Sequence, residues 1–260
     1  MLIYWLRALH LVCCLCGITL AFAAAKPIDS NYSLRLSPVN TIPGWYLDLG
    51  IGSMIKEKAN TSYIANEDEE PDEYKVASLK PVPLASVAAG YLWVYPRRWL
   101  PLASLGLAYN YQCPSTIKGI INDYSDSGEA NVGYQYQVAH QSLQLVSKTN
   151  IYHWHHWLPY VAAGLGVSWN QFSAYDEQAI TKRTTEHANP HFPNKTKPSL
   201  SYSLAIGVDY HFTKHWWGGL GYRYNYWGQL KSGYSTIVAE SLKTRLQGQQ
   251  VFFSLRYLLG

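Results

Sequence analysis

The sequence predicts an all-β fold in which eight antiparallel strands form one up-and-down barrel domain that spans a membrane. First, eight segments of the 260-residue chain alternate large apolar residues with small or polar ones at a period of two, as strands with two unlike faces do. Second, long polar connections alternate with short turns. Third, Tyr (22) and Trp (10) far outnumber Phe (6), and rings with a polar tip suit a surface that is apolar at one end and wet at the other.

Residues 1–25 are predicted to be a secretory signal peptide that is absent from the mature protein. Arg7 supplies a positive start, residues 11–22 an apolar stretch, and residues 23–25 a cleavage site of small residues. Three of the four cysteines lie in this segment, so the mature chain would keep only Cys113 and no internal disulfide. Its 20 basic and 17 acidic residues are too balanced to suggest nucleic-acid binding.

The strands are justified one by one by their alternation. They are predicted, in chain order, at residues 45–54, 86–95, 102–111, 134–150, 159–170, 201–212, 219–228 and 250–260. The sixth, SYSLAIGVDYHF, is the clearest, since its odd positions are small or polar and its even positions are large and apolar. The fourth is less regular: Tyr136 and Val138 keep one phase while Leu143 and Leu145 keep the other. This change predicts a β-bulge near residues 140–142.

The connections predict the topology. Long polar segments follow strands one, three, five and seven, at residues 55–83, 112–133, 173–199 and 228–247, and short turns follow strands two, four and six, at residues 96–98, 153–156 and 213–215. This alternation is typical of an up-and-down meander with its long loops at one end.

The volume of the interior decides which face points outward. An eight-stranded barrel has an interior only just wide enough for side chains to fill it. About five large apolar residues per strand would overfill such an interior, whereas the opposite faces, rich in Gly, Ala and Ser, would fit. The apolar band must therefore face outward, which excludes a water-soluble monomer and predicts a membrane barrel.

Four charged residues fall on the predicted inward faces: Asp48, Asp209, Arg223 and Arg256. Because buried charges are tolerated when paired, we expect a lumenal network with a structural role. Arg223 is predicted to pair with Asp209 on neighbouring strands, and Arg256 with Asp48 across the closing pair of strands. The alternative is a set of scattered lumenal charges solvated by trapped water.

The chain resembles the small bacterial outer-membrane β-barrels of the OmpA-like, opacity-protein-like group. The residues that carry the resemblance are GWYLDLGIG, LPYVAAGLGVSWN, SYSLAIGVDYHFTKHWWGGLGYRYNYWG and the final strand. The resemblance implies a location in the outer membrane of a Gram-negative bacterium, contact with outer-membrane lipids and lipopolysaccharide, and recognition of the C-terminal strand by the barrel assembly machinery. We expect residues 26–42 to be a periplasmic segment and residues 43–260 to be the barrel, without the peptidoglycan-binding domain that follows the barrel in OmpA.

The segment HWHHW contains three histidines that could act as metal ligands, with His153 and His155 on one strand face and His156 beside them. The neighbouring short turns are also rich in aromatic residues, which favours an interfacial aromatic girdle over a metal site. The girdle is predicted to contain Trp93, Tyr95, Trp99, Tyr152, Trp154, Trp157, Trp216 and Trp217. We expect neither a metal nor a cofactor.

Function is the least constrained property. His140 and Ser142 share a strand face and are the best candidates for a base and nucleophile of a lipid-A-modifying barrel enzyme, but no accompanying motif of those enzymes is present. The acidic run at residues 66–73 could bind divalent cations shared with lipopolysaccharide, but its composition favours a solvated loop. The basic third loop, which includes Lys195 and Lys197, could contact anionic headgroups or a host surface. We therefore expect a non-enzymatic surface protein with four long extracellular loops for adhesion, or for contact with a host or cell-surface partner. A narrow pore is the other alternative, which the charged lumen should block.

Overall fold

The computed structural model describes residues 41–56, 62–64, 72–78, 81–122, 130–179, 191–235 and 240–259. The predicted signal peptide and nearly all of the predicted periplasmic segment lie outside these ranges, as does most of the acidic run. The described residues form ten strands: β1 Gly44–Lys56, β2 Ser62–Ile64, β3 Asp72–Ser78, β4 Val82–Val94, β5 Trp99–Asn122, β6 Ala130–Tyr152, β7 Trp157–Ala179, β8 Lys195–His211, β9 Trp216–Lys231 and β10 Lys243–Leu259. No helix in these ranges is long and apolar enough to cross a membrane.

Eight of the strands close into a ring, which confirms the predicted fold class. Each of β1 and β4 to β10 pairs antiparallel with its neighbours, and β1 closes the ring by pairing with both β4 and β10. The remaining two strands lie in the connection after β1. β3 pairs with the far end of β5, where Tyr74 faces Ile121, and so extends the wall beyond the end of β4.

The three short connections are at one end of the barrel, called here the turn end, at residues 95–98, 153–156 and 212–215. The opposite end is called the loop end. There the strands run further than the sequence pattern indicates: β5 continues to Asn122, β6 begins at Ala130 and β7 continues to Ala179. Much of what was expected to be loop is therefore barrel wall.

Large apolar side chains cover the outside of the barrel from the turn end upward. Ile51 is 66% exposed, Ile206 60% and Leu220 55%, and similar side chains alternate along the other strands. A soluble monomer does not expose a continuous apolar surface of this size. The outward band therefore faces lipid, as the volume argument predicts.

The interior is filled in three layers. A turn-end cluster consists of Tyr46, Leu92, Leu102, Leu158, Trp217 and Leu258. A loop-end cluster consists of Met54, Tyr74, Ile117, Ile121, Val132, Tyr134, Tyr136, Val138, Phe172, Phe192, Trp227, Leu230, Leu242 and Leu246. Between these clusters the inward side chains are mostly polar or charged.

The bulge predicted near residues 140–142 is wrong. In β6 the even-numbered side chains point inward from Val132 to Asn150 without a change of phase at residues 140–142. The apolar phase changes because large apolar residues face lipid near the turn end and face the core near the loop end. The ladder irregularity lies across from it, in β5, where the register shifts between Gln112 and Ser115.

Two large rings of the interior, Tyr46 and Tyr160, lie beside glycines of the facing strands. The register places Tyr46, Gly90 and Gly106 side by side on β1, β4 and β5. A Cβ added to Gly90 would lie 2.8 Å from the Tyr46 hydroxyl oxygen, and one added to Gly106 would lie 2.5 Å from it. Tyr160 lies in the same way beside Gly207 and Gly221.

We predict that Gly90→Val destabilises the barrel by about 1–3 kcal/mol, because the new side chain would overlap Tyr46 and the β5 backbone. The fraction of chain that forms a compact band in detergent gels before boiling measures this effect. Ala89→Val is the matched control, since Ala89 is the neighbouring outward residue. Equal folding of the two variants would contradict the proposed close packing.

Candidate functional site

The polar layer between the two apolar clusters contains the buried charged side chains of the barrel and their hydrogen-bond partners. Lys148 of β6 donates from Nζ to Asp209 Oδ1 of β8 at 2.7 Å, and both side chains are buried. Asn150 Nδ2 donates to the second oxygen, Oδ2, of Asp209 at 3.0 Å and to the carbonyl oxygen of Leu158 at 3.0 Å. The Asp209 carboxylate is thus held by one ammonium and one amide.

A second ion pair lies at the seam that closes the barrel. The register of β1 with β10 places Asp48 directly opposite Arg256, and Arg256 Nε donates to Asp48 Oδ2 at 3.0 Å. The structure therefore brings together this predicted pair.

The predicted pairing of Arg223 with Asp209 is wrong. In the ladder Arg223 faces Ala205, whereas Asp209 faces Gly219, which precedes Arg223 by four residues and lies nearer the turn end. Arg223 instead donates from Nη1 to Asn110 Oδ1 at 3.2 Å.

Each lumenal cation also lies over an aromatic ring. Lys148 Nζ is 3.8 Å from the ring centroid of Tyr160, Arg223 Cζ is 4.4 Å from that of Phe252, and Arg256 Cζ is 4.1 Å from that of Tyr46. Cation–π contacts of this kind become stronger when water is excluded. A cavity of about 60 Å³ lies among these groups, which is room for a few water molecules and not for a larger ligand.

Lys148 is the charged residue that the sequence reading missed. The inward position of Lys148 could have been predicted from Leu143 and Leu145. These two residues point outward, so the even-numbered residues of β6 point inward. Lys148 follows at an even position close to the turn end, and Asn150 is the next inward residue. The irregular start of the same strand concealed this pattern.

His140 and Ser142 both lie inside the barrel and are almost completely buried. His140 Nδ1 is 2.7 Å from Asn170 Oδ1, so Nδ1 carries the hydrogen, because Asn170 Nδ2 itself donates to the carbonyl oxygen of Trp227 at 2.7 Å. The Ser142 hydroxyl accepts a hydrogen bond from Asn110 Nδ2 at 3.3 Å. These partners hold both side chains in the lumen, away from lipid.

Asn170, the partner of His140, also anchors the loop-end part of β9. The β8–β9 ladder ends at the pair Tyr202 and Tyr226, and Gly228 has a positive φ of 81°. Beyond this point, the hydroxyl of Ser168 donates to the carbonyl oxygen of Trp227 at 2.6 Å, beside the bond from Asn170. Side chains of β7 therefore replace the missing ladder bonds and hold Trp227 in the loop-end cluster.

Two histidines of HWHHW, His155 and His156, form the two-residue hairpin turn between β6 and β7, and the third, His153, precedes it and donates from its backbone N–H to the carbonyl oxygen of Arg98 at 3.0 Å. The backbone groups of Trp154 and Trp157 exchange hydrogen bonds of 3.0 and 2.9 Å around His155 and His156. His155 has a φ of 55°, and His156 faces the ring of Tyr210. Burial lowers the pKa of His153 below its usual value. Across the described ranges, no group of three His, Cys, Asp or Glu side chains is placed to hold a metal ion.

The predicted girdle residues lie at the turn end, and most of them face outward in ring pairs. Trp99 packs on Tyr152 with a centroid distance of 4.8 Å, and Trp216 packs on Tyr257 at 4.7 Å. Trp217 is an error in the prediction, because adjacent residues of a strand point to opposite faces and Trp217 lies in the turn-end cluster. The girdle also includes rings that the sequence analysis did not assign to it: Trp45, Tyr91, Tyr210, Phe212 and Tyr257.

We predict that Lys148→Met lowers the free energy of unfolding by about 3–5 kcal/mol, because it leaves the buried Asp209 carboxylate without its cation. The double variant Lys148→Met with Asp209→Asn should recover most of this loss. Urea unfolding in phospholipid vesicles, followed by Trp fluorescence, measures both. Lys214→Met, at an exposed turn residue, is the control. A double variant as unstable as the sum of its single variants would show that the two side chains are not coupled.

Comparison with known proteins shows that the chain matches one family model and has low sequence identity to several solved structures of similar fold. The model of a family described as outer membrane protein beta-barrel domain matches residues 37–246. OprG from Pseudomonas aeruginosa is 15% identical, with a TM-score of 0.48, over 83% of this chain and 97% of that chain. Neisserial surface protein A is 14% identical, with a TM-score of 0.41, over the same shares of the two chains. The outer membrane protease OmpT from Escherichia coli is 12% identical, with a TM-score of 0.40, again over 83% and 97%.

No curated protein matches the chain. The three solved structures are too distant to transfer an activity, whereas the family match spans most of the barrel. Its description agrees with the closed ring of eight strands and the outward apolar band. The chain therefore belongs to the outer membrane protein beta-barrel domain family and is an integral protein of the outer membrane of a Gram-negative bacterium.

Proposed function

We propose that this barrel is a non-enzymatic surface protein whose loop end lies outside the cell and binds a partner there. The observation that carries the proposal is the distribution of side chains along the long strands. Near the turn end β6 presents Leu143 and Leu145 outward, and near the loop end it presents Gln137 outward between the inward Tyr136 and Val138 of the loop-end cluster. The loop-end part of the barrel, with polar residues outside and its own apolar core inside, can therefore extend beyond the membrane into water.

The filled interior argues against the alternative of a narrow pore. Apolar side chains occupy the lumen at both ends, with Trp217 and Leu258 in one cluster and Tyr136 and Trp227 in the other. Between them, the paired charges and the small cavity leave no room for a chain of water along the axis.

The positions of His140 and Ser142 also argue against a lipid-modifying enzyme. A nucleophile and its base must reach the acyl bond of a lipid that lies outside the barrel. Both side chains point inward and are hydrogen-bonded to Asn170 and Asn110. The bond of His140 to Asn170, which itself donates to the carbonyl oxygen of Trp227, supports a role for His140 in anchoring β9.

We predict that lipid A extracted from cells producing His140→Ala or Ser142→Ala is identical to lipid A from cells producing the unaltered chain. Mass spectrometry of the acyl chains measures this, with cells lacking the protein as the reference. A change in acylation that depends on the protein and is lost in either variant would favour the enzyme.

The loop-end rim of β8, β9 and β10 is a basic surface that fits an anionic partner. Lys231 faces Lys243 directly across the β9–β10 ladder. Lys197 of β8 lies on the same rim, since its Nζ donates to Oε1 of Gln229 on β9 at 3.3 Å, and Lys195 is two residues before it in β8. Like charges placed opposite each other weaken a ladder, so their grouping is better explained by binding than by stability.

We predict that cells producing the protein bind a sulfated polysaccharide, dextran sulfate, and that Lys231→Glu with Lys243→Glu weakens this binding about threefold or more through charge repulsion. Fluorescently labelled polysaccharide on intact cells, at low and high salt, measures the effect. Lys214→Glu, at the turn end, is the control and should leave binding unchanged. Equal binding by all three chains would contradict a role for the rim.

The orientation can be checked in the same cells. Cys113 is exposed on the outward face of β5, towards the loop end. A maleimide that does not cross membranes should label it on intact cells. Labelling only after the cells are broken would show that the loop end faces inward.

A further inference from the structure

The outer wall formed by β5 to β8 changes from apolar to polar within three rows of the ladder. The register defines the rows. Side by side lie Tyr109, Leu143, Val167 and Leu200 in the first row, then Tyr111, Gln141, Trp169 and Pro198, then Ala139, Gln171 and Thr196. The first row closes the apolar band, and the third presents an amide and a hydroxyl. The boundary between lipid chains and headgroups therefore falls on the second row.

A groove of about 540 Å³ lies on this boundary. It is lined by Tyr109, Ala139, Gln141, Trp169, Gln171 and Thr196. Ala139 is the small residue of the third row, and the larger side chains around it form the walls. The β5 strand gives Ala139 no partner in the ladder, since its register shifts between Gln112 and Ser115. The volume is within the range of sites for small ligands.

The lining of the groove combines aromatic rings with uncharged hydrogen-bonding groups. The Tyr109 hydroxyl donates to Gln141 Oε1 at 3.1 Å, which orients the amide and leaves its Nε2 hydrogens for a ligand. Gln171 and Thr196 are exposed and add both donors and acceptors. Trp169 is 39% exposed and supplies an indole ring against which the C–H groups of a sugar ring can pack. None of the six lining residues carries a charge, so a sugar fits this site better than a phosphate does.

We propose that this groove binds the sugar headgroup of a glycolipid, whose acyl chains lie along the apolar rows beneath it. The groove is continuous with the lipid-facing band through Leu143, Val167 and Leu200, so a membrane lipid reaches it without leaving the bilayer. The proposed orientation is used only to assign the leaflet: with the loop end outside the cell, the lipid belongs to the outer leaflet.

The test uses the full chain in phosphatidylcholine nanodiscs that contain a small fraction of glucosyl diacylglycerol, with bound lipid counted by native mass spectrometry. Ala139→Trp fills the groove, and Gln141→Leu with Gln171→Leu removes both amides. Each should reduce retained glycolipid about tenfold or more, the double glutamine variant because one or two hydrogen bonds are lost and Ala139→Trp because the indole takes the place of the sugar. Gln249→Leu is the matched control, because Gln249 is an exposed outward amide on β10.

The outcomes separate this site from the proposed function. Retention by the unaltered chain and the control, and loss in both groove variants, supports the site. Equal retention by all chains, or equal retention of phosphatidylglycerol in place of the glycolipid, would overturn it. Gel migration before boiling shows that every variant is folded. Because nanodiscs expose both faces, the result does not depend on orientation or on binding at the basic rim.

Discussion

The need to satisfy every backbone hydrogen bond away from water governs this protein. Lipid offers no donors or acceptors, so a sheet can cross a membrane only when its two edge strands pair. Here that closure is the β1–β10 ladder, which runs from Trp45 opposite Leu259 to Lys56 opposite Gly248. Closure with eight strands leaves a narrow interior, so the total volume of the inward side chains has to match the volume of the lumen.

Glycine and aromatic rings solve the filling problem together. Tyr46 lies beside Gly90 and Gly106, and Tyr160 beside Gly207 and Gly221, so each ring crosses a part of the lumen that a Cβ would close. The rings then support the cations, since Arg256 lies over Tyr46 and Lys148 over Tyr160. Charges that would be costly in an apolar barrel are held between a carboxylate and a ring, which favours one arrangement of the strands.

The barrel could be predicted from the sequence because lipid imposes a simple rule, with large apolar residues on one face of every strand. The same rule predicts that Asp48 faces Arg256, since only the closing register is needed. The prediction for Trp217 is wrong because it was based on the aromatic composition of the turn. The alternation of faces places Trp217 inward when its neighbour Trp216 faces outward. The lipid rule itself fails for Lys148 and for the long strand ends, because β6 follows one rule beside lipid and the reverse rule beside water. Where the surroundings of a strand change, apolar periodicity alone cannot give the strand's length or phase.

Along β6 the large apolar residues change from the outward face near the turn end to the inward face near the loop end. The two halves of the barrel are therefore in different surroundings, lipid for the turn-end half and water for the loop-end half. Its turn-end half is stabilised by lipid on the outside, so bilayer thickness and composition should influence it. Its loop-end half is stabilised as a soluble domain is, by apolar side chains such as Tyr136 and Phe172 that are removed from water. The junction between the two halves fixes the depth of the barrel in the membrane. A shift in one direction would bury the outward glutamines in hydrocarbon, and a shift in the other would expose leucines to water.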